Sequence, residues 1–440
     1  MRINYKWVKG EVQMNGKRLA LIFCCTVLLL SACAKENPRG AETNAEQNKP
    51  PEPVTLKMYQ SGAYFTDQDF QLLFVEPLKN KYPHITLENV VSKMDLPELI
   101  ASGEPVDFFV TWNGRLPYYK DFEFYEDLIP LANKYGFDLG KFDPKALDAI
   151  KAVSDKGELY ALPYAVNLNA TYYNKDIFDK FGVPYPQDGM TWEDAIELAK
   201  RVTREDGGIS YQGLDMDSLN RLFFPLSLNV IDGKTDKPNV NNEFYKRAFE
   251  IGKQIYTIPG NPYRGGGEGV YNRFLKDKTL AMLMTVNLFL RLKEIPDLNW
   301  DVAQFPSYKE RPNTYGMYDL HIIIPSKISK HQEDMMRVME VLFSDEVQTA
   351  MVKKTLRVSV MKDPKYNQMF GQDIPELKNK RLTSIFKSSP APAPAYSKYY
   401  PSAINMVVDG FKDYVNGKKD VNTALRETEE KILQYIRENP

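Results

Sequence analysis

Cysteine is scarce in this sequence: the three present, Cys24, Cys25 and Cys33, all fall within the first 33 of 440 residues. The chain beyond them therefore has no internal disulfide, thiolate zinc site or cysteine nucleophile, and its fold must stand on an apolar core. Histidine is nearly as rare. His84 precedes a strand pattern, His321 opens another and His331 starts a helix, so there is no His-x-x-x-His pair for zinc, and no Gly-x-Ser-x-Gly elbow is present. An excess of charge of one sign is missing too: 57 basic against 58 acidic residues leave a net charge of −1. That balance argues against nucleic acid as a partner, since nucleic acid asks for a concentrated basic face. The uncharged apolar run at 19–30 holds about a dozen residues, too few to span roughly 30 Å of hydrocarbon.

That run has the setting of an export signal. Arg2, Lys6, Lys9, Lys17 and Arg18 precede it, and Leu30-Ser31-Ala32-Cys33 ends it; charge, apolar stretch and small residues follow in the order of a secretory leader. Leu-Ser-Ala-Cys resembles the bacterial lipobox, which implies a leader over 1–32 and acylation of Cys33 at the new N-terminus. Met14 would also serve as a start and leaves the same mature chain. Residues 33–53 are polar, rich in Pro, Asn, Ala and Glu, and read as a flexible tether behind the acylated cysteine.

The body begins with a period of two at Val54, Leu56 and Met58, followed by helical spacing at Phe70, Leu73, Phe74 and Leu78. Ile85 and Leu87 alternate again, and Val106-Asp107-Phe108-Phe109-Val110 reads as a buried strand. Strand, helix, strand, helix predicts an α/β fold with a parallel sheet covered on both faces. Such sheets bind ligands beyond the strands' carboxyl ends, which selects Gln60 and Ser61 after the first strand and Trp112 and Asn113 after the third.

Further along, Leu162-Pro163-Tyr164, then Leu168-Asn169-Ala170-Thr171-Tyr172-Tyr173-Asn174-Lys175, then Phe181-Gly182-Val183-Pro184 and Thr191-Trp192-Glu193-Asp194 form a recognisable series. Thr191 with Asp194 is a capping-box start, and Ala195, Ile196, Leu198, Ala199 and Val202 give that helix its apolar face. The series resembles the extracellular solute-binding proteins of ATP-driven sugar importers, the family that includes maltose-binding proteins. The resemblance continues through Arg273-Phe274-Leu275-Lys276, Ala281-Met282, Trp300–Pro306, Tyr315-Gly316-Met317-Tyr318-Asp319 and the terminal Val415-Asn416-Gly417 segment. It implies a two-lobe, type II periplasmic-binding-protein-like fold whose hinge strands border a ligand cleft. The lobes are expected at 54–165 plus 302–323 and at 168–300 plus 325–440, with crossings near 164–169, 300–305 and 322–325.

The same resemblance places Trp112 where a sugar ring is stacked, and Asn167, Asp215, Asp217, Asn287 and Asp319 are candidates for a ring of hydrogen-bonding groups. Tyr164, Tyr318 and Tyr399 complete the expected ligand-binding set, and Tyr396 and Tyr400 are candidates for an aromatic wall. Trp192, Trp300 and the stripe Met335, Met336, Val338, Met339, Leu342 and Phe343 read as core. Gly265-Gly266-Gly267 reads as a flexible loop, since no GK[ST] follows it. The expected protein is a monomeric, lipid-anchored binder on the extracytoplasmic face of the cell membrane. It uses no cofactor or metal, captures a mono- or oligosaccharide by lobe closure and hands it to the membrane subunits of an ABC importer. Three alternatives stay open: a carrier of ferric ion, polyamine or peptide, with Tyr172-Tyr173 and Tyr399-Tyr400 as candidate ferric ligands; a surface glycan-active enzyme using paired carboxylates; and a lipoprotein of the same fold that acts in signalling or as a surface adhesin.

Overall fold

The computed structural model describes residues 51–439; the expected leader, Cys33 and most of the tether lie outside the described residues. In chain order the strands are β1 (Val54–Gln60), β2 (Ile85–Val90), β3 (Phe108–Trp112), β4 (Leu162–Val166), β5 (Asn169–Asn174), β6 (Arg204–Asp206), β7 (Ile209–Met216), β8 (Leu280–Val286), β9 (Trp300–Ala303), β10 (Thr314–Met317), β11 (Leu320–Pro325) and β12 (Ser389–Ala391). They form two five-stranded sheets, β2-β1-β3-β11-β4 and β6-β7-β8-β5-β9, and a small pair, β10-β12.

The first sheet starts parallel, with β1 between β2 and β3, and then takes in β11 antiparallel to both β3 and β4. Phe108, Phe109 and Val110 are fully buried, as a strand covered on both faces requires. The methionine-rich helix Gln332–Leu342 and its successor Asp345–Lys354 bury their apolar residues in this first core. In the second lobe, β7 and β8 run parallel while β5 lies antiparallel between β8 and β9. Its covering helix Trp192–Val202 begins with the capping box read from sequence: the Thr191 hydroxyl accepts from the Asp194 N–H at 3.2 Å, and the Asp194 carboxylate accepts from the Thr191 N–H at 2.9 Å. Trp192 and Trp300 are core residues of this lobe.

The lobes are discontinuous in sequence, but two of the three crossings differ from expectation. The first core takes residues from 56–165 and again from 318–366; the second takes 168–317 and then 356–432. Three chain passages lie side by side at the hinge, where the Val166 N–H donates to the Val358 carbonyl at 2.9 Å and the Asn167 N–H to the Asp319 carbonyl at 2.8 Å. The expected crossings at 300–305 and 322–325 are therefore corrected to 317–319 and 352–370. β9 remains inside the second sheet, and β11 inside the first. The residues after 325, expected in the second lobe, first build two helices on the first lobe. An apolar run ending in proline reads the same whether its strand crosses a hinge or ends inside one sheet.

Candidate functional site

The carboxyl ends of β1 and β3 carry a braced loop set. Gln60 is spent internally: its amide nitrogen donates to Asn89 and its oxygen accepts from the Phe65 N–H at 2.6 Å. The Ser61 hydroxyl accepts from Arg115 at 3.0 Å, and Arg115 is itself held by Asp95 at 2.6 Å. Asn113, also fully buried, donates to the Tyr318 carbonyl at 3.1 Å and accepts from the Leu320 N–H at 3.0 Å, riveting the end of β3 to the start of β11.

These braces carry Trp112. Its half-buried indole lies so close to Gly114 that a Cβ there would fall 1.9 Å from a ring carbon, and a Cβ on Gly62 would come within 3.2 Å of Cδ1. Gly62 also has a φ of +82°, which favours glycine. Tyr396 of the second lobe meets the indole edge to face, centroids 5.8 Å apart and planes at 84°, a favoured aromatic geometry that packs Trp112 against the second core.

A polar cluster sits at the adjoining hinge. Asn167 donates to Asp319 Oδ2 at 3.2 Å. From the second lobe, Arg221 grips Asp217 through Nε at 2.8 Å and Nη2 at 3.2 Å, and donates through Nη1 to Asn169 at 2.5 Å. Burial pushes the Asp319 carboxyl up to about 6, with Arg221 and Asn167 pulling the other way and Asp217 adding to the rise. The glycine-rich segment expected to be a flexible loop is instead pinned here: the Gly267 N–H donates to the Asp217 carbonyl at 2.9 Å, and a Cβ on Gly266 would lie 2.1 Å from that oxygen. The helix that follows, Glu268–Leu275, brings in Tyr271, whose hydroxyl meets Thr285 at 3.1 Å and whose ring is covered by Arg291 at 4.2 Å.

Asn167, Asp217 and Asp319 thus gather at the hinge around Arg221, and Trp112 connects to them through Tyr396, whereas other expected ligand residues do not join them. Tyr164 is wholly buried in the first core, stacked on Phe65 at 4.5 Å. Asp215 points into the second lobe, where Arg273 at 2.5 Å and Tyr256 at 2.9 Å neutralise it; it lies two residues from Asp217, and strand alternation does not by itself say which of the two leaves the sheet. Asn287 bridges to the Leu356 carbonyl at 2.7 Å. Tyr399 is buried and packs on Tyr435, centroids 6.2 Å apart. Tyr318 donates to Asp143 and borders a separate cavity of about 380 Å³ along the hinge, with Val166, Val358 and Phe386. Arg221 and Tyr271 were not anticipated; the spacing of Asp217 and Arg221, four apart, was the available signal.

Tyr172 and Tyr173 are buried strand residues of the second lobe, which removes them as ferric ligands. Among the described residues, no group of three or more His, Cys, Asp or Glu side chains is placed to hold a metal ion, and no helix is long and apolar enough to cross a membrane.

Solved structures share this architecture. A substrate-binding protein of an ABC transporter from Listeria monocytogenes, described in complex with cycloalternan, aligns over 88% of this chain and 99% of its own with a TM-score of 0.71 at 19% identity. The sugar-binding protein MalE of Xanthomonas citri aligns over 88% and 100%, with a TM-score of 0.66 at 17% identity. The fold is the type II periplasmic-binding fold. A binding protein of Brucella abortus is 28% identical over 203 residues, 43% of this chain and 48% of its own length, so the chain spans about half the length of the curated relatives it matches. Residues 63–349, well over half of the sequence, match the family of bacterial extracellular solute-binding proteins, and the chain belongs to that family.

Proposed function

We propose that this protein is a lipid-anchored, extracytoplasmic saccharide receptor that closes its lobes on a mono- or oligosaccharide and presents it to an ABC importer. The observation that carries the reading is the cleft-side indole of Trp112, seated on two glycines and facing Tyr396 of the opposite lobe beside the Asn167, Asp217, Arg221 and Asp319 cluster. A flat apolar face beside directional donors and acceptors suits a sugar ring, which is apolar on its faces and polar around its rim. Cycloalternan, maltotriose and mannobiose are the ligands named for structural neighbours, and a mannitol-binding protein of Pseudomonas aeruginosa is 43% identical over 56 residues. Both lobes contribute to the cluster, so a bound ligand favours the closed arrangement and gives the importer a state to distinguish. Binding and release need no bond to be made or broken. Cys33, at the end of the export signal, supplies the anchor, leaving the receptor a monomer on the outer face of the cell membrane.

A thermal-shift screen of the body from residue 54 against neutral, amino and acidic saccharides tests this reading, with spermidine, peptides and ferric citrate as controls. A ligand at 100 times its Kd stabilises the fold by about 2.7 kcal/mol. Trp112→Ala should fold and lose the shift. A transition moved by a control alone refutes the saccharide assignment. For the anchor, Cys33→Ser should move the full chain from the membrane to the soluble fraction.

A further inference from the structure

The hinge cluster holds more negative charge than it neutralises. Asp217 and Arg221 cancel, for the guanidinium gives Nε and Nη2 to Asp217 and its remaining nitrogen to Asn169. Asp319 is left with a single side-chain donor, Asn167 at Oδ2. Its Oδ1 has no hydrogen-bond partner among the described residues. The phenols around it do not fill that role: the Tyr396 hydroxyl donates to Met317 Sδ at 2.9 Å, while Tyr315 and Tyr400 interact with Asp319 only through space. That oxygen stays open to solvent, so a ligand donor can reach it, and the half-buried setting strengthens a hydrogen bond formed there. It stands on the middle hinge passage, two residues before His321, the register partner of Trp112.

We propose that Asp319 is the specificity-determining group of the cleft, accepting a hydroxyl or ammonium group of a neutral or amino sugar at Oδ1 and turning away uronates. The inference rests on the saccharide reading above. A donor arriving at Oδ1 forms a charge-assisted hydrogen bond, whereas a ligand carboxylate meets one unbalanced negative charge in a partly desolvated site, and repulsion discriminates against it. Because Asp319 also holds Asn167 of the first hinge passage, the group that reads the ligand is the one that joins two hinge strands.

The test is calorimetric titration of wild type, Trp112→Ala and Asp319→Asn with maltotriose, mannobiose, glucosamine and digalacturonate. Wild type should bind a neutral or amino probe and reject digalacturonate. Trp112→Ala should abolish that binding, and Asp319→Asn, equal in shape, should weaken it by about tenfold or more. Should Asp319→Asn fail to fold, wild-type affinity for the neutral probe should still weaken as pH drops from about 7.5 to about 5 and the carboxylate gains its proton; Arg221, Asp217, Asn167 and the three phenols are the groups that face it. A saccharide whose binding needs Trp112 but is indifferent to Asp319→Asn and to pH overturns this inference alone. Preferential binding of digalacturonate overturns it as well. Absence of any saccharide binding to wild type removes the underlying reading with it.

Discussion

The first lobe brings Trp112 to the candidate site at the carboxyl end of a parallel strand, whereas the second brings Asp217 from beyond β7, Tyr271 from a helix and Tyr396 from the loop after β12. The lobes also bury their charges differently. Asp215 and Arg273 pair wholly within the second lobe. Asp69 of the first lobe pairs at 2.6 Å with Arg357, which lies on the last hinge passage and also donates to the Tyr64 carbonyl at 2.8 Å. One ion pair therefore serves a lobe and the other a joint.

The largest expected effect separates these two pairs. Arg273→Met leaves the Asp215 carboxylate, its side chain only 2% exposed, without its cation, and should cost about 3–5 kcal/mol in urea denaturation while ligand affinity at low temperature is kept. Arg357→Met should cost a similar amount and also weaken ligand capture, because the hinge passage at 356–358 loses its tie to the first lobe. Equal effects of the two variants on affinity would break the distinction between lobe and joint.

Asn113→Ala is the next step down. It leaves the Tyr318 carbonyl and the Leu320 N–H without their buried partner, a loss of about 1–3 kcal/mol, measurable as a lowered Tm of the free protein. Because Asn113 fastens the strand end that carries Trp112, affinity should fall with stability. If it does not, the strand-end brace is independent of the site.

Gly114→Ala probes the platform itself. The new methyl would sit 1.9 Å from the indole, so the ring must move, at about 1–2 kcal/mol for an overpacked site. The sharper readout is the emission of Trp112, since Trp192 and Trp300 are buried in the second core; an unchanged spectrum would mean that the ring does not rest on this glycine.

The same contrast between lobes explains how much of the site was legible. Trp112 was readable because Phe108-Phe109-Val110 marks a buried parallel strand and ligands gather where such strands end. Asn167 and Asp319 entered only as members of a candidate polar ring, and the sequence held no signal that set them apart from Asn113, Asp215 or Asn287, since Asn and Asp are also ordinary turn residues. In the second lobe, Asp215 and Asp217 look alike in sequence, and only folding sends one to Arg273 and the other to Arg221. Tyr271 follows a glycine run that looks mobile until Gly266 is seen against the Asp217 carbonyl. The lobe boundary was misplaced because β9 and β11 are both short apolar strands, and partner choice, which sequence alone does not encode locally, decides which sheet each joins.

The smallest expected net effect on the wild type is a pH dependence in which two hinge groups oppose each other. Burial lowers His321 to about 4, with Arg357 adding to the shift, and raises Asp319 to about 6. His321 titrates lower folded than unfolded, so its neutral form contributes stability that is present above about pH 6.5 and lost as pH falls toward 4. Asp319 titrates higher folded than unfolded, so its contribution is fully present below about pH 4 and lost as pH rises through about 6. Each is worth no more than about 3 kcal/mol, and the signs cancel between pH 4 and 6.5. The separate terms appear in difference measurements. Relative to Asp319→Asn, wild type should gain stability on acidification across that window, and relative to His321→Gln it should lose stability. Parallel slopes for the two variants would mean that these neighbours on the middle hinge passage do not experience opposite fields, and that the joint senses pH as a single unit.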